Sequence, residues 1–248
     1  FCCFRPTFGA PGAVGSSYFL LYSCSFGIQA GGMNFPYRQR IREKRSVTEV
    51  EEMKSIWRQE AALPEFPALK EERRLDTLVV GGGLAGLLTG FFLKQQGQKY
   101  AVLEKERIAG GVTGNTTGKI TVHHGPVYSR LLKSLGKDRT EAYLRANQLA
   151  LEQYGRMAEE ISCDFSLQDN YVYSLDDKAG MLREAEALEF IGARVDYTER
   201  TNLPFHTAAA VRMKNQAQFH PLKFVSGIAE GQEIYERSFV TDIAKGRT

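Results

Sequence analysis

The residues with chemistry to offer stand in two glycine-rich runs. The first is Gly81-Gly82-Gly83-Leu84-Ala85-Gly86, which follows the apolar triplet Leu78-Val79-Val80. That triplet reads as a buried parallel strand. A helical pattern follows, with Leu84, Leu87, Leu88, Phe91 and Phe92 on its apolar side. In such a strand–turn–helix, Gly81 permits the tight exit from the strand and Gly83 lets the backbone approach a pyrophosphate. Gly86 is expected to let the helix pack close to the sheet. The helix N-terminus adds N–H groups and partial positive charge. A turn at Gly97 leads into a second short strand, Tyr100 to Leu103, which ends on Glu104. An acid placed there, roughly 20 residues on, accepts hydrogen bonds from a ribose diol. A GxGxxG alone is a common turn. With the strand before it, the helix after it and the acid at the next strand end, it reads as a dinucleotide site.

The second run, Arg107 to Gly125, combines Gly110, Gly111, Gly114 and Gly118 with Thr113, Thr116 and Thr117. Such a loop wraps closely round a cofactor, offering N–H and O–H donors to phosphate and ribitol oxygens. Directly after a dinucleotide fingerprint, cofactor contact is the favoured reading over a plain surface loop. His123 and His124 close the run. Histidine exchanges protons near neutral pH, so either is a candidate catalytic group beside a redox ring. The commoner role for such residues is structural hydrogen bonding.

The elements that must position these runs follow from periodicity. Ser46 to Glu60 reads as a polar amphipathic helix, with Trp57 as a packing residue, and Leu63 to Leu69 as a proline-punctuated linker. Val127 to Ile161 is largely helical with a break at Gly136. Phe165 to Leu175 alternates as a strand, with a turn expected at Asp169-Asn170. Asp176 to Gly192 reads as a capped helix and Arg194 to Tyr197 as a short strand. Ala208–Met213 and Gln216–Phe219 suggest a hairpin or paired edge strands. Pro221 to Ala229 is a proline-started helix, followed by strand over Glu233 to Val240.

Composition is that of an ordinary globular protein, and a formal net charge of +3 over 248 residues is too small to indicate nucleic acid or an anionic membrane as partner. The basic run Arg38 to Arg45 reads as a solvated tail. Cys2, Cys3, Cys24 and Cys163 form no CxxC pair and no metal spacing, which suits a reducing, cytoplasmic setting. Ser16 to Ile28 is apolar but lacks the flanks of a signal peptide and the length of a membrane span. Residues 1–45 are expected to be a non-native or disordered extension and 46–75 a leader helix and linker. Residues 76–135 are the expected nucleotide-binding part, 136–235 a partial substrate or cap domain, and 236–248 a return strand that stops short.

Three segments resemble the FAD-dependent oxidoreductases of the D-amino acid oxidase and glycine oxidase superfamily: VVGGGLAGLLTGFFLKQQGQKYAVLEKE, GGVTGNTTGKIT, and QFHPLKFVSGIAEGQEIYERSFVTDI. The resemblance runs from about Asp76 to the end. It implies an α/β fold: a Rossmann-like FAD-binding domain with part of an inserted α+β substrate domain, truncated. It implies that Gly81, Gly83 and Gly86 hold the FAD pyrophosphate and Glu104 the adenosine ribose. Thr116, Thr117 and Gly118 would approach the flavin, and Val240 would contact the adenine through its backbone. Gly82, Leu84, Ala85 and Lys105 complete the implied contact set. More narrowly, TTGKIT, HHG and QFHPLK resemble a bacterial subgroup that often carries a C-terminal Rieske [2Fe-2S] domain. No Rieske ligand pattern occurs in these residues.

The activity implied is oxidation of a C–N bond in an amine or amino-acid-like substrate by hydride transfer to flavin. Three alternatives stand beside it: an electron-transfer flavoprotein serving a Rieske centre, an inactive FAD-binding fragment, and an NAD-dependent dehydrogenase. The threonine-rich loop suits the last one least.

Overall fold

Parallel strand pairing requires a crossover between the strands, and the segment after the linker supplies one. In the computed structural model, which describes residues 55–201 and 203–244, Thr77–Val80 forms β1, after α1 at Ile56–Glu60. Leu84–Gln95 forms α2 and Tyr100–Leu103 forms β2. β1 lies parallel to β2, with Thr77 opposite Tyr100 and Val80 opposite Leu103. All four β2 residues are buried, as expected of a strand covered on both faces. Gly97, with φ of 67°, makes the turn between α2 and β2.

The chain divides into two compact units, each described by itself. The first contains Glu65–Ile108 and the segment from Gly231 onward. Its sheet runs β1, β2, then the short strand Ile234–Tyr235, whose residues pair parallel with Val102 and Leu103. Glu236 ties this unit together. It is fully buried, and its carboxylate accepts hydrogen bonds from the backbone of Ile108 (2.9 Å) and Phe66 (3.3 Å) while pairing with Arg107 at 3.1 Å. The proline linker is thus laid along residues 236–238, with Pro67 O accepting from Glu236 N and Leu69 N donating to the Ser238 hydroxyl. Of the return strand expected over 236–248, residues 236–244 carry no strand pairing, and the rest lie outside the described residues. Pairing occurs at Ile234–Tyr235, and Arg237, at φ of 48°, turns the chain out of strand geometry just beyond.

The second unit holds residues 55–64 and Ala109–Glu230. In chain order it contains α1, a 3₁₀ turn at Val112–Asn115, β3 (Lys119–Ile120), α3 (Tyr128–Leu135) and α4 (Lys137–Glu160). There follow β4 (Ser166–Ser174), α5 (Lys178–Phe190), β5 (Asp196–Thr198), β6 (Ala209–Gln218) and α6 (Pro221–Ala229); the strand of the first unit at Ile234–Tyr235 is then β7. β6 is the central strand. It pairs antiparallel with β4 along one edge, and with β5 and β3 on the other. Ala209, Val211 and Met213, at the two-residue period of a strand, point into a core with Tyr128, Leu144, Met181 and Leu188.

Two expected turns are absent from this sheet. Asp169-Asn170 is a bulge within β4, where the register shifts between Gln168 and Asn170. Asp169 pairs outward with Arg212, and buried Asn170 donates to His123 O at 3.0 Å. The expected hairpin within 208–219 is one continuous strand, in which Asn215 takes φ of 56° without reversing the chain. Asparagine tolerates that conformation, so a turn-like dipeptide becomes an irregularity in a strand. The α3–α4 break does fall at Gly136, which takes φ of 76°. The expectations for residues 1–45, and for the part of the leader helix before Ser55, lie outside the described residues.

Candidate functional site

The fingerprint turn lies in the first unit. Gly81 takes φ of 107°, and a side chain there would meet open space, so the glycine is required by backbone geometry alone. Its N–H donates to Leu103 O at 2.8 Å, tying the turn to the end of β2. Gly83 is the N-cap of α2, whose first turn, among the described residues, carries no acidic side chain and no side-chain cap. The helix start thus carries no acid of its own, which suits a diphosphate site.

Gly86 and Gly82 are both buried, and each makes room for a close neighbour. A Cβ on Gly86 would fall 1.9 Å from Gly81 O and 3.4 Å from Val79 Cγ1, so this glycine lets the helix lie against both the turn and β1. A second close approach of α2 to the sheet lies one turn later, at Gly90, where a Cβ would be 2.9 Å from Val102 Cγ2 and 3.0 Å from Tyr100 Cε2. Gly82 is buried; its Cβ would meet Glu104 at 2.9 Å, and its N–H donates to Glu104 Oε2 at 2.7 Å.

Glu104 is half-buried, and its other oxygen accepts from Glu106 N at 2.9 Å. A carboxylate has about four acceptor positions, so two remain for a ribose diol. The acid both locks the turn and presents acceptors beside it. Leu84 is half-buried, while Ala85 and Lys105 are exposed, Lys105 pairing with its neighbour Glu106 at 3.8 Å. Val240 packs against a cluster of Ala101, Leu103 and Tyr235.

The threonine loop lies in the second unit. Gly118 is buried at φ of 68°, Thr116 is half-buried and Thr117 exposed. Thr117 borders a cavity of about 460 Å³ on the sheet, whose walls include Lys119, Gln168, Tyr171, Tyr173 and Gln216. Sequence reasoning did not anticipate this cavity, because its walls come from three strands distant in the chain.

The two histidines separate. His123 is 1% exposed, with Nε2 3.3 Å from Glu184 Oε1. Glu184 is fully buried on α5, and its two oxygens accept from Tyr128 N and Ser129 N, each at 2.8 Å, at the start of α3. Burial pushes its carboxyl up, but the hydrogen bonds from His123, Ser129 and Tyr128 outweigh it and hold it below the usual range. The Tyr128 hydroxyl donates to Val122 O at 2.6 Å, and burial pushes its pKa up. His123 is thus part of a buried network that caps a helix, a structural arrangement. His124 is exposed; partial burial pushes its pKa down, against a hydrogen bond with Asn147. Among the described residues no cluster of His, Cys, Asp and Glu is fit to hold a metal ion, and no helix is long and apolar enough to cross a membrane.

Comparison with known proteins agrees with this fold and fingerprint. The family described as DAO, FAD dependent oxidoreductase, matches residues 76–248, and the chain belongs to it. A curated relative, the putative Rieske 2Fe-2S iron-sulfur protein YhfW of Bacillus subtilis, is 32% identical over 201 residues, covering 77% of this chain and 40% of that protein. The gamma-glutamylputrescine oxidoreductase of Escherichia coli is 26% identical over 196 residues, covering 72% of this chain and 45% of the relative. The chain thus spans less than half the length of either. Among solved structures, L-amino acid deaminase from Proteus vulgaris aligns with a TM-score of 0.53 at 18% identity, covering 71% of this chain and 43% of that one. L-proline dehydrogenase from P. horikoshii aligns at 0.52 and 19%, covering 71% and 45%. These two likenesses concern the fold.

Proposed function

We propose that this chain is part of an FAD-dependent oxidoreductase that oxidises a C–N bond of an amine or amino-acid-like substrate. The observation that carries the reading is the fingerprint locked to its acid: a left-handed turn at Gly81, a helix that starts at Gly83 with no acid in its first turn, and Glu104 bound to Gly82 N at 2.7 Å. Gly83 and the start of α2 would hold the diphosphate, and Glu104 the adenosine ribose. FAD, when bound, supplies a two-electron acceptor for a substrate hydride.

Thr116, Thr117 and Gly118 would serve the flavin portion. The neighbouring cavity, with Lys119, Gln168 and the tyrosines, offers donors and acceptors to a small polar substrate. Hydride abstraction next to a neutral amine needs little acid–base help, which fits a site in which His123 is committed to Glu184. The name of the gamma-glutamylputrescine oxidoreductase of Escherichia coli supports the substrate class. The name of the Bacillus subtilis relative supports a second reading, electron transfer to a Rieske [2Fe-2S] domain.

The test is anaerobic reduction of the FAD-loaded protein, extended to the length of its relatives, by a panel of amines and amino acids. Bleaching of the flavin band by members of one substrate class is the expected result. Bleaching by a one-electron reductant but by no amine would support the electron-transfer reading instead.

A further inference from the structure

The threonine loop is held by a segment that precedes the fingerprint in sequence. The Ser55 hydroxyl donates to Gly114 O. The Trp57 indole N–H donates to Thr116 O at 2.7 Å. Arg58 Nη2 donates to Gly110 O at 2.6 Å and lies 3.5 Å from Ala109 O. Four carbonyls of one loop thus face three side chains of one short segment.

The loop glycines are shaped to this segment. A Cβ on Gly114 would lie 2.6 Å from both Ala109 O and Arg58 Nη2, and one on Gly118 would lie 2.6 Å from Phe219 O and 3.0 Å from Trp57 Cζ2. Both glycines thus leave space into which Trp57 and Arg58 reach from one side of the loop. The indole is held on a second side by His220, edge-on with ring centroids 5.0 Å apart. His220 is itself fixed as the N-cap of α6, its Nδ1 accepting from Lys223 N at 3.2 Å, with Nε2 3.7 Å from Glu60.

We propose that residues 55–58 are a positioning clamp for the cofactor loop: Ser55, Trp57 and Arg58 set the loop conformation in which Thr116 and Thr117 meet the flavin. This rests on the FAD reading above. The clamp residues act through the loop and touch neither substrate nor cofactor. Donors on one side of the loop turn its carbonyls toward α1 and leave Thr117 bordering the cavity.

The test compares Trp57→Phe, Trp57→Ala and Arg58→Ala with Ile56→Ala, a change at an exposed position of the same helix. Hydrogen exchange over residues 109–118 is measured without flavin, and FAD affinity and the bound-flavin spectrum are measured separately. Loss of each donor is expected to speed exchange in the loop and weaken FAD binding by about three- to tenfold. The flavin band should shift, and Ile56→Ala should change neither readout. Trp57→Phe keeps an aromatic side chain while losing the donor and part of the indole, so it is the variant read if Trp57→Ala fails to fold. Trp57 is the only tryptophan among the 248 residues, so its emission confirms directly that α1 stays docked in Arg58→Ala. Unchanged exchange, or faster exchange with unmoved FAD affinity and spectrum, overturns the clamp. A wild-type protein that binds no flavin would overturn the parent reading, and the cofactor half of this proposal with it.

Discussion

Gly90 sits where α2 meets the sheet, and a methyl group there would lie 2.2 Å from Gln232 Oε1 as well as against Val102 and Tyr100. Gln232 is not free to withdraw cheaply, because its amide donates to Leu87 O at 2.9 Å and its oxygen accepts from Tyr100 OH at 3.4 Å. Helix propensity alone predicts that Gly90→Ala stabilises by about 1 kcal/mol. Overpacking of this kind costs typically 1–3 kcal/mol, so the substitution is expected to be net destabilising by about 1 kcal/mol. Urea denaturation of the two proteins checks the sign. At this scale Gly81, Gly83 and Glu104 were legible in the sequence, since the geometry they serve is local. Gly90, Gln232 and Glu236 were not, because their reasons lie across the fold: Gln232 bonds to α2, and Glu236 binds Ile108 and Phe66.

At the scale of elements, α3 begins without a cap of its own, and Glu184 of α5 satisfies its first two amides. Because the Glu184 carboxyl binds a proton less readily folded than unfolded, its contribution is present above the ordinary glutamate value of 4.5 and is lost as pH falls below it. Glu184→Gln removes the titrating group. The melting temperature of the wild type is therefore expected to fall more steeply than that of Glu184→Gln as pH is lowered from about 6 to about 3.5. Equal slopes would show that Glu184 does not titrate as described. The helices themselves were readable from periodicity, down to the break at Gly136 and the Asp177 cap, which accepts from Gly180 N. β4 and β6 were readable as strand but not as unbroken strand, because Asp169-Asn170 and Asn215 carry the signature of turns. The sheet absorbs them: pairing continues on both sides of each irregularity, and Asn170 gains a buried partner.

At the scale of the molecule, the fingerprint and its acid belong to one unit, and the threonine loop, its clamp and the cavity belong to the other. The chain belongs to a family described as FAD dependent oxidoreductase, and on the proposed reading the first unit would hold the nucleotide half of FAD with its turn, helix start and carboxylate, all within Thr77–Glu104. The most direct test is gel filtration of the chain after incubation with FAD, read by visible absorbance. Flavin bands that travel with the protein and are displaced by ADP are the predicted result, since ADP occupies the same diphosphate and ribose positions. A protein that emerges colourless, or one that takes NAD in preference to FAD, would contradict the account at its centre.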